Sequence, residues 1–305
     1  MTAPVARAGR LPGGREIQDW TSQRTSLARR LRDQVSWSLA GLALLLLVGP
    51  LLWVLAGVVE QAARVWRWSM LTSTTASGGL LNAIVGTLVL LVGVLVVAGV
   101  VGVASGVYIA EFAPPRRRTV LRAASEVLAG VPSIVIGYVA YVALVVGLRW
   151  GYSLVAAVLA LTVLVIPYVA KSTELAISQV PTAYREGAEA LGFSRAQVMR
   201  RVVFRSAIPG ISTGLIVALA ISVGETAPLL YTMAFTNGYP SSALTHSQLG
   251  YLTYVAYIFW DEPTTTDQNL AHAAALVLVV LVVALILVGR LVVRLTQRHS
   301  ETEAR

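Results

Sequence analysis

The sequence predicts an all-helical, polytopic membrane protein with about six transmembrane helices. Of its 305 residues, 56% are hydrophobic and only 13% are charged, and the mean hydropathy of +0.72 lies outside the range of soluble globular chains. The apolar residues gather in six runs, each long enough to cross a hydrocarbon core of about 30 Å. The basic residues fall between those runs in an alternating pattern, as they do in chains that thread a bilayer.

In chain order, residues 1–35 are Arg-rich, contain Pro12 and a Gly13-Gly14 pair, and have neither an apolar run nor a small-residue cleavage site. They read as a cytosolic tail and not as a signal peptide. The predicted spans are 38–59, 80–110, 127–148, 152–170, 208–232 and 270–293. The second is longer than one crossing needs, so it is expected to tilt or to project into the cytosol. A very short turn at Arg149-Trp150-Gly151 makes the third and fourth antiparallel neighbours. Pro132 and Pro167 interrupt those two spans, and each marks either a packing kink or a stretch that lines a cavity. Between the last two spans, residues 233–269 carry no Lys or Arg. Their middle, LGYLTYVAYIFW, is too short to cross. It predicts an interfacial or re-entrant helix with Tyr251, Tyr254, Tyr257 and Trp260 at headgroup level, or else a surface for a partner.

An even number of spans leaves both termini on one side. With the N-terminal tail in the cytosol, the inner segments carry 7, 4, 6 and 4 basic residues and the outer ones 2, 1 and 0. This is a strong positive-inside bias. It accounts for the net charge of +9 and for the Arg116-Arg117-Arg118 run without a nucleic-acid partner. The chain thus divides into a tail at 1–35, a transmembrane domain at 36–295 and a cytosolic C-terminal tail at 296–305. The domain contains a polar loop at 182–205 and an external loop at 233–269.

Several chemistries are excluded. There is no cysteine, and His246, His272 and His299 are too scattered to form a metal site. No GxxxxGK[ST] loop is present, so the chain has no means of its own to hydrolyse nucleotide. HExxH does not occur, and no paired carboxylates come with an accompanying base, which leaves no catalytic constellation.

The polar loop has internal structure. Tyr184, Ala188 and Leu191 recur at helical spacing and predict a short helix with one apolar face, while Arg185, Glu186 and Glu189 wet the other. Gly192 stands where a C-terminal glycine ends a helix, and Ser194 with Gln197 is a capping-box signature for the next. The loop is then either a plain connector or a docking elbow.

Glu225 is the one ionisable group in the fifth span, and by default such a residue marks function. It is expected to pair with an arginine or lysine, either as a gate or as a packing device. Pro228, three residues on, should bend the helix there. Lys171, the only lysine, sits at the inner end of the fourth span at i,i+3 spacing from Glu174. It is either a snorkelling topology residue or a mobile charge for an anion. Thr173, Ser222 and Thr226 add neutral donors.

Three motifs carry a resemblance. Glu186, Gly187, Ala188, Gly192 and Val202 are similar to the cytoplasmic "EAA" loop of ABC-importer permeases. Gly224-Glu225-Thr226-Ala227-Pro228-Leu229-Leu230 resembles the GETAPLL segment of the A-type permeases of phosphate-specific importers, and Lys171-Ser172-Thr173-Glu174 a basic-Ser-Thr-Glu motif of the same subunit. The sequence departs from that pattern at Gly187, where the family has its first alanine, and at Ile221, where many members carry an arginine. The resemblance implies a type I ABC importer permease fold in which the loop forms a coupling helix. Glu186, Gly187, Ala188, Leu191 and Gly192 would engage an ATP-hydrolysing subunit. Lys171, Glu174, Glu225 and Thr226 would serve translocation or gating. It further implies a plasma (inner) membrane location, a homologous permease partner, two ATP-hydrolysing subunits that hold ATP and Mg, and an extracytoplasmic phosphate-binding protein. The "EAA" loop alone is shared with importers of sulfate, molybdate and other solutes. An ATP-independent secondary transporter would instead predict an inverted repeat, and none is visible.

Overall fold

The structure is a computed structural model that describes residues 27–241 and 243–302. Most of the expected tail at 1–35 and the last residues of the C-terminal tail lie outside them. The chain divides into two units, Met1–Gly57 and Val58–Arg305. Among the described residues the regular structure is helical apart from one isolated bridge between Ala234 and Gln248.

Helix α1 (Leu27–Val65) contains the first span. Two short 3-10 turns follow, at Trp68–Leu71 and Thr75–Ser77. They are held over the start of the next helix by Asn82, a fully buried amide whose Oδ1 accepts from the Thr75 N–H at 2.9 Å and whose Nδ2 donates to the Thr236 carbonyl at 3.1 Å. Helix α2 (Leu81–Val107) runs on through a π-helical turn at Tyr108–Phe112, giving 32 residues without interruption. The second run is therefore one continuous helix, longer than a single crossing needs.

The third span differs from expectation. Helix α3 (Pro115–Ala129) and helix α4 (Ser133–Ala140, extended by a π-helical stretch to Gly147) meet at a bend of 97°. Gly130 and Pro132 cause it, since a proline cannot donate into the preceding turn and biases the residue before it away from helix. In place of one straight crossing at 127–148 there is a 15-residue apolar limb, about 22 Å long at ~1.5 Å per residue. The limb is joined to a polar helix that buries none of its side chains.

Helix α5 (Leu154–Ser178) is capped by Ser153, whose hydroxyl accepts from the Ala156 N–H at 3.4 Å, and it continues past the buried Pro167. Helix α6 (Thr182–Ala190) and helix α7 (Arg195–Gln197) form the polar loop. A π-helical turn at Val198–Val203 joins α7 to helix α8 (Phe204–Gly224), making one rod of 30 residues. Helix α9 (Ala227–Thr232) restarts after a break. The fifth span expected at 208–232 is therefore two helices.

Helix α10 (Leu252–Ile258) lies within the loop at 233–269, before helix α11 (Thr265–Thr302). The Leu252 N–H donates to Thr87 Oγ1 at 2.9 Å, two turns into α2, which ties α10 to the side of that helix. Its aromatic residues do not share one level. Tyr251 is 1% exposed and burial pushes its phenol up, with Tyr254 adding to the effect. Tyr254 stacks on Phe235 at 4.3 Å, whereas Tyr257 and Trp260 are well exposed. Burying the tyrosine faces against Phe235 removes more apolar area from water than an interfacial position would.

The most extensive pairing is between α2 and α5. Gly102 and Gly106 permit it, because a Cβ at Gly106 would lie 2.5 Å from the Thr173 Cβ. The central core, including Leu90, Val94, Leu161, Val165 and Val169, fills this crossing. A second cluster of Leu80, Leu252, Val255 and Leu270 joins the far ends of α2 and α11 to α10. A third, built from Ile177, Val180, Val198, Val203 and Ile211, supports the polar loop.

Candidate functional site

The polar loop folds as the sequence predicts at its two caps. Gly192 adopts φ +83°, the left-handed region that favours glycine. It closes α6 in a Schellman motif, with the Phe193 N–H donating to the Ala188 carbonyl at 3.1 Å and the Gly192 N–H to that of Glu189 at 2.9 Å. The Ser194 N–H donates to Gln197 Oε1 at 2.8 Å, and the Gln197 N–H to Ser194 Oγ at 3.4 Å, completing the capping box. The Arg201 guanidinium sits 5.7 Å from the centre of the Phe193 ring and packs the second cap against the rod.

Its apolar face differs from expectation. Only Ala188 is buried, while Tyr184 is 59% and Leu191 80% exposed. The third cluster meets α6 through Ala188, the seventh of its nine residues, so Tyr184 in the first turn and Leu191 just past the last overhang it. Glu186, Gly187 and Gly192 are exposed beside them, and nothing lies within 4 Å of where a Gly187 Cβ would stand. The result is a presented surface of mixed apolar and acidic character.

That surface is tied to the helix ends beneath it. Arg185 pairs with Glu111 at 2.6 Å, with both side chains mostly buried, and donates through Nη2 to the Ile177 carbonyl at 3.2 Å. One side chain therefore joins α6 to the end of α2 and to α5. Charge-assisted bonds of this kind are about twice as strong as neutral ones. Between these elements lies a cleft of about 710 Å³ bordered by Glu111, Phe112, Glu189, Arg195 and Met199.

Lys171 and Glu174 do not pair with each other, although their spacing suggested it. Both reach across to α3, where Glu174 pairs with Arg122 and Lys171 with Glu126 at 3.3 Å. Each thereby meets an opposite charge on a separate element, a better arrangement than two long side chains crowded on one turn. Next to Glu174, Thr173 is fully buried and its hydroxyl has no partner among the described residues. Ser172 donates to the Gly210 carbonyl at 2.9 Å and ties α5 to α8.

At the other end of α8, Glu225 is not inside a helix. Its φ of −75° and ψ of 126° are extended, and the helix resumes at Ala227 with Pro228 in the first turn, a position proline suits. The Glu225 carbonyl accepts from Thr253 Oγ1 at 3.2 Å, so the break is bound to α10. The carboxylate is half-buried and makes no ion pair among the described residues; the expected arginine or lysine partner is not within this part of the chain. Thr226 is half-buried beside it, and Ser222 donates to the Ala218 carbonyl of its own helix at 2.9 Å. Helix α9 packs on α4, where a Cβ at Gly137 would lie 2.6 Å from the Pro228 Cα.

The predicted translocation residues therefore form two groups. Gly214 of α8 packs against Ser172 of α5. Glu225, just past the end of α8, lies eleven residues beyond Gly214, roughly 16 Å at ~1.5 Å per residue. Sequence reasoning missed Glu111, Arg122 and Glu126. The last two sit four apart on α3 and mirror Lys171 and Glu174 on α5, a charge complementarity that was available in the sequence. Among the described residues no three His, Asp or Glu side chains gather as metal ligands.

Residues 100–301 match the family described as binding-protein-dependent transport system inner membrane component. The phosphate transport system permease protein PstA 2 of Mycobacterium tuberculosis is 48% identical over 291 residues, covering 94% of this chain and 97% of that protein. The probable phosphate transport system permease protein PstA of Methanocaldococcus jannaschii is 31% identical over 261 residues, covering 84% and 92%. Among solved structures, an inward-facing conformation of the MetNI methionine ABC transporter superposes with a TM-score of 0.59 at 21% identity. It covers 71% of this chain and 95% of that one, a likeness of fold.

Proposed function

The chain belongs to the binding-protein-dependent transport system inner membrane components, and on that premise we propose that it is the permease subunit of an ATP-driven importer of inorganic phosphate. It is a multi-pass membrane protein. The distribution of its arginines supports a plasma-membrane orientation with the tails at 1–35 and 296–305 and the loop at 182–205 in the cytosol, flanking a transmembrane domain at 36–295.

The reading rests on one observation above all: α6 presents Tyr184, Gly187 and Leu191 outward while Ala188 and Arg185 anchor it to three helix ends. In the proposed assembly this chain pairs with a homologous permease. One of two ATP-hydrolysing subunits receives the exposed face of the elbow, and an extracytoplasmic phosphate-binding protein delivers the anion. ATP and Mg are held by the ATPases, and this chain contributes no catalytic group. Closure of the ATPase dimer displaces the elbow, and α5 and α8 move with it because Ile177, Val198 and Val203 share its core. The displacement reaches Glu225 and Thr226 at the break, where a change of helix direction opens or closes the path. Lys171 and Glu174 act at the elbow end through their pairs with α3.

The test is ATP hydrolysis and uptake by the reconstituted complex. Inorganic phosphate, delivered with its binding protein, is expected to stimulate both. Stimulation by sulfate or molybdate in its place would overturn the cargo, and uptake without the ATPase subunits would overturn the transport class.

A further inference from the structure

Beside the close contact of Gly289 on α11 with Ile216 on α8 lies an apolar groove of about 750 Å³ walled by Ile216, Val217, Ala220 and Ile286. At one end, a single helical turn apart on α11, stand Arg290 and Arg294. Both are exposed and neither forms an ion pair among the described residues. Two like charges at this spacing repel, so they favour an anion that bridges them. Leu270, buried at the far end of α11, lies twenty residues before Arg290. This is about 30 Å along the helix, one hydrocarbon thickness. The guanidinium groups therefore stand at the headgroup depth of the leaflet on the elbow side, and the groove runs from them into the acyl depth.

An apolar trough that ends in two cations fits a molecule with a chain and a phosphate. We propose that this groove holds an anionic glycerophospholipid of that leaflet, with Arg290 and Arg294 gripping the headgroup and one acyl chain lying along Ile216, Val217 and Ile286. Inorganic phosphate shares the headgroup chemistry but makes no use of the apolar wall. The proposal requires only that α11 crosses the membrane, so it does not depend on the cargo.

Native mass spectrometry of the assembled complex, exposed to equal amounts of phosphatidylglycerol and phosphatidylcholine, tests it. Phosphatidylglycerol is expected to be retained selectively, and excess inorganic phosphate should not displace it. The Arg290→Gln, Arg294→Gln double variant should lower that retention on the order of 30-fold. Ala220→Phe, which narrows the trough and leaves the charges in place, should lower it as well. Equal retention of the two lipids, an undiminished signal in the double variant, or displacement by inorganic phosphate would overturn the assignment. Because the chain has no cysteine, Val217→Cys can carry a photo-cross-linker in a functional complex. A lipid adduct is expected, and an adduct to another subunit would show that protein covers the groove instead.

Discussion

Arg122 on α3 and Glu174 on α5 form an ion pair of unequal exposure: the Glu174 side chain keeps 5% of its surface and that of Arg122 47%. The neighbouring pair, Lys171 with Glu126, is exposed at both ends. Removing the cation from the first pair leaves a buried carboxylate uncompensated, whereas removing it from the second leaves a carboxylate in solvent. Arg122→Gln should therefore destabilise the purified complex by about 2 kcal/mol, a value reduced from that of a fully buried pair for the exposure of Arg122. Lys171→Gln should cost roughly 0.5 kcal/mol or less. Thermal unfolding of the two variants checks the order, and equal midpoints would refute it.

Gly192 admits a graded test of the elbow. Asparagine tolerates the left-handed region, so Gly192→Asn should retain coupled transport. Gly192→Ala should cost about 1 kcal/mol locally. Gly192→Pro removes the N–H that bonds to Glu189 and fixes φ on the wrong side, at roughly 3 kcal/mol. The proline variant is expected to reach the membrane and assemble, yet to hydrolyse ATP without matching uptake. The ratio of phosphate transported to ATP consumed is the readout, and a normal ratio would remove the elbow from the mechanism.

Leu191 offers the complementary test, since its side chain is 80% exposed and contributes little to the fold. Leu191→Asp should leave the thermal midpoint within about 0.5 kcal/mol of the parent. It should nevertheless reduce co-purification of the ATP-hydrolysing subunits severalfold. Full recovery of those subunits would mean that the docking face lies elsewhere.

At the break, the backbone of Glu225 and its side chain can be separated. Thr253→Val removes the bond to the Glu225 carbonyl and should cost about 1 kcal/mol of stability. Glu225→Gln keeps that bond and should impair uptake with assembly intact. If the glutamine variant transports with unchanged kinetics, the carboxylate has no part in translocation.

Much of this arrangement is legible in the sequence because it follows from local chemistry. Gly192, Ser194 and Gln197 announce their caps through interactions within a few residues, and the six apolar runs reflect a length requirement. The 97° bend at Gly130–Pro132 and the break at Glu225 are not legible in the same way. Hydropathy does not record direction, and a proline or glycine in an apolar run marks a bend without giving its angle. The partners of Lys171 and Glu174 were hidden for a related reason. Spacing along one helix proposes neighbours on that helix, whereas α3 arrives from 45 residues earlier in the chain to place Glu126 beside Lys171.

The rod from Arg195 to Gly224 ends in a capped, anchored hairpin at one extremity and in extended backbone at the other. In the proposed mechanism a twist applied at the hairpin passes the π-helical turn at Val198–Val203 and Pro209 before it reaches that extended backbone, so the rod would work as a crankshaft whose far bearing is Glu225. The carboxylate would then occupy the point where torque becomes displacement. A pair of glycines inserted midway would act as a slipping clutch, taking up the stroke before it arrived.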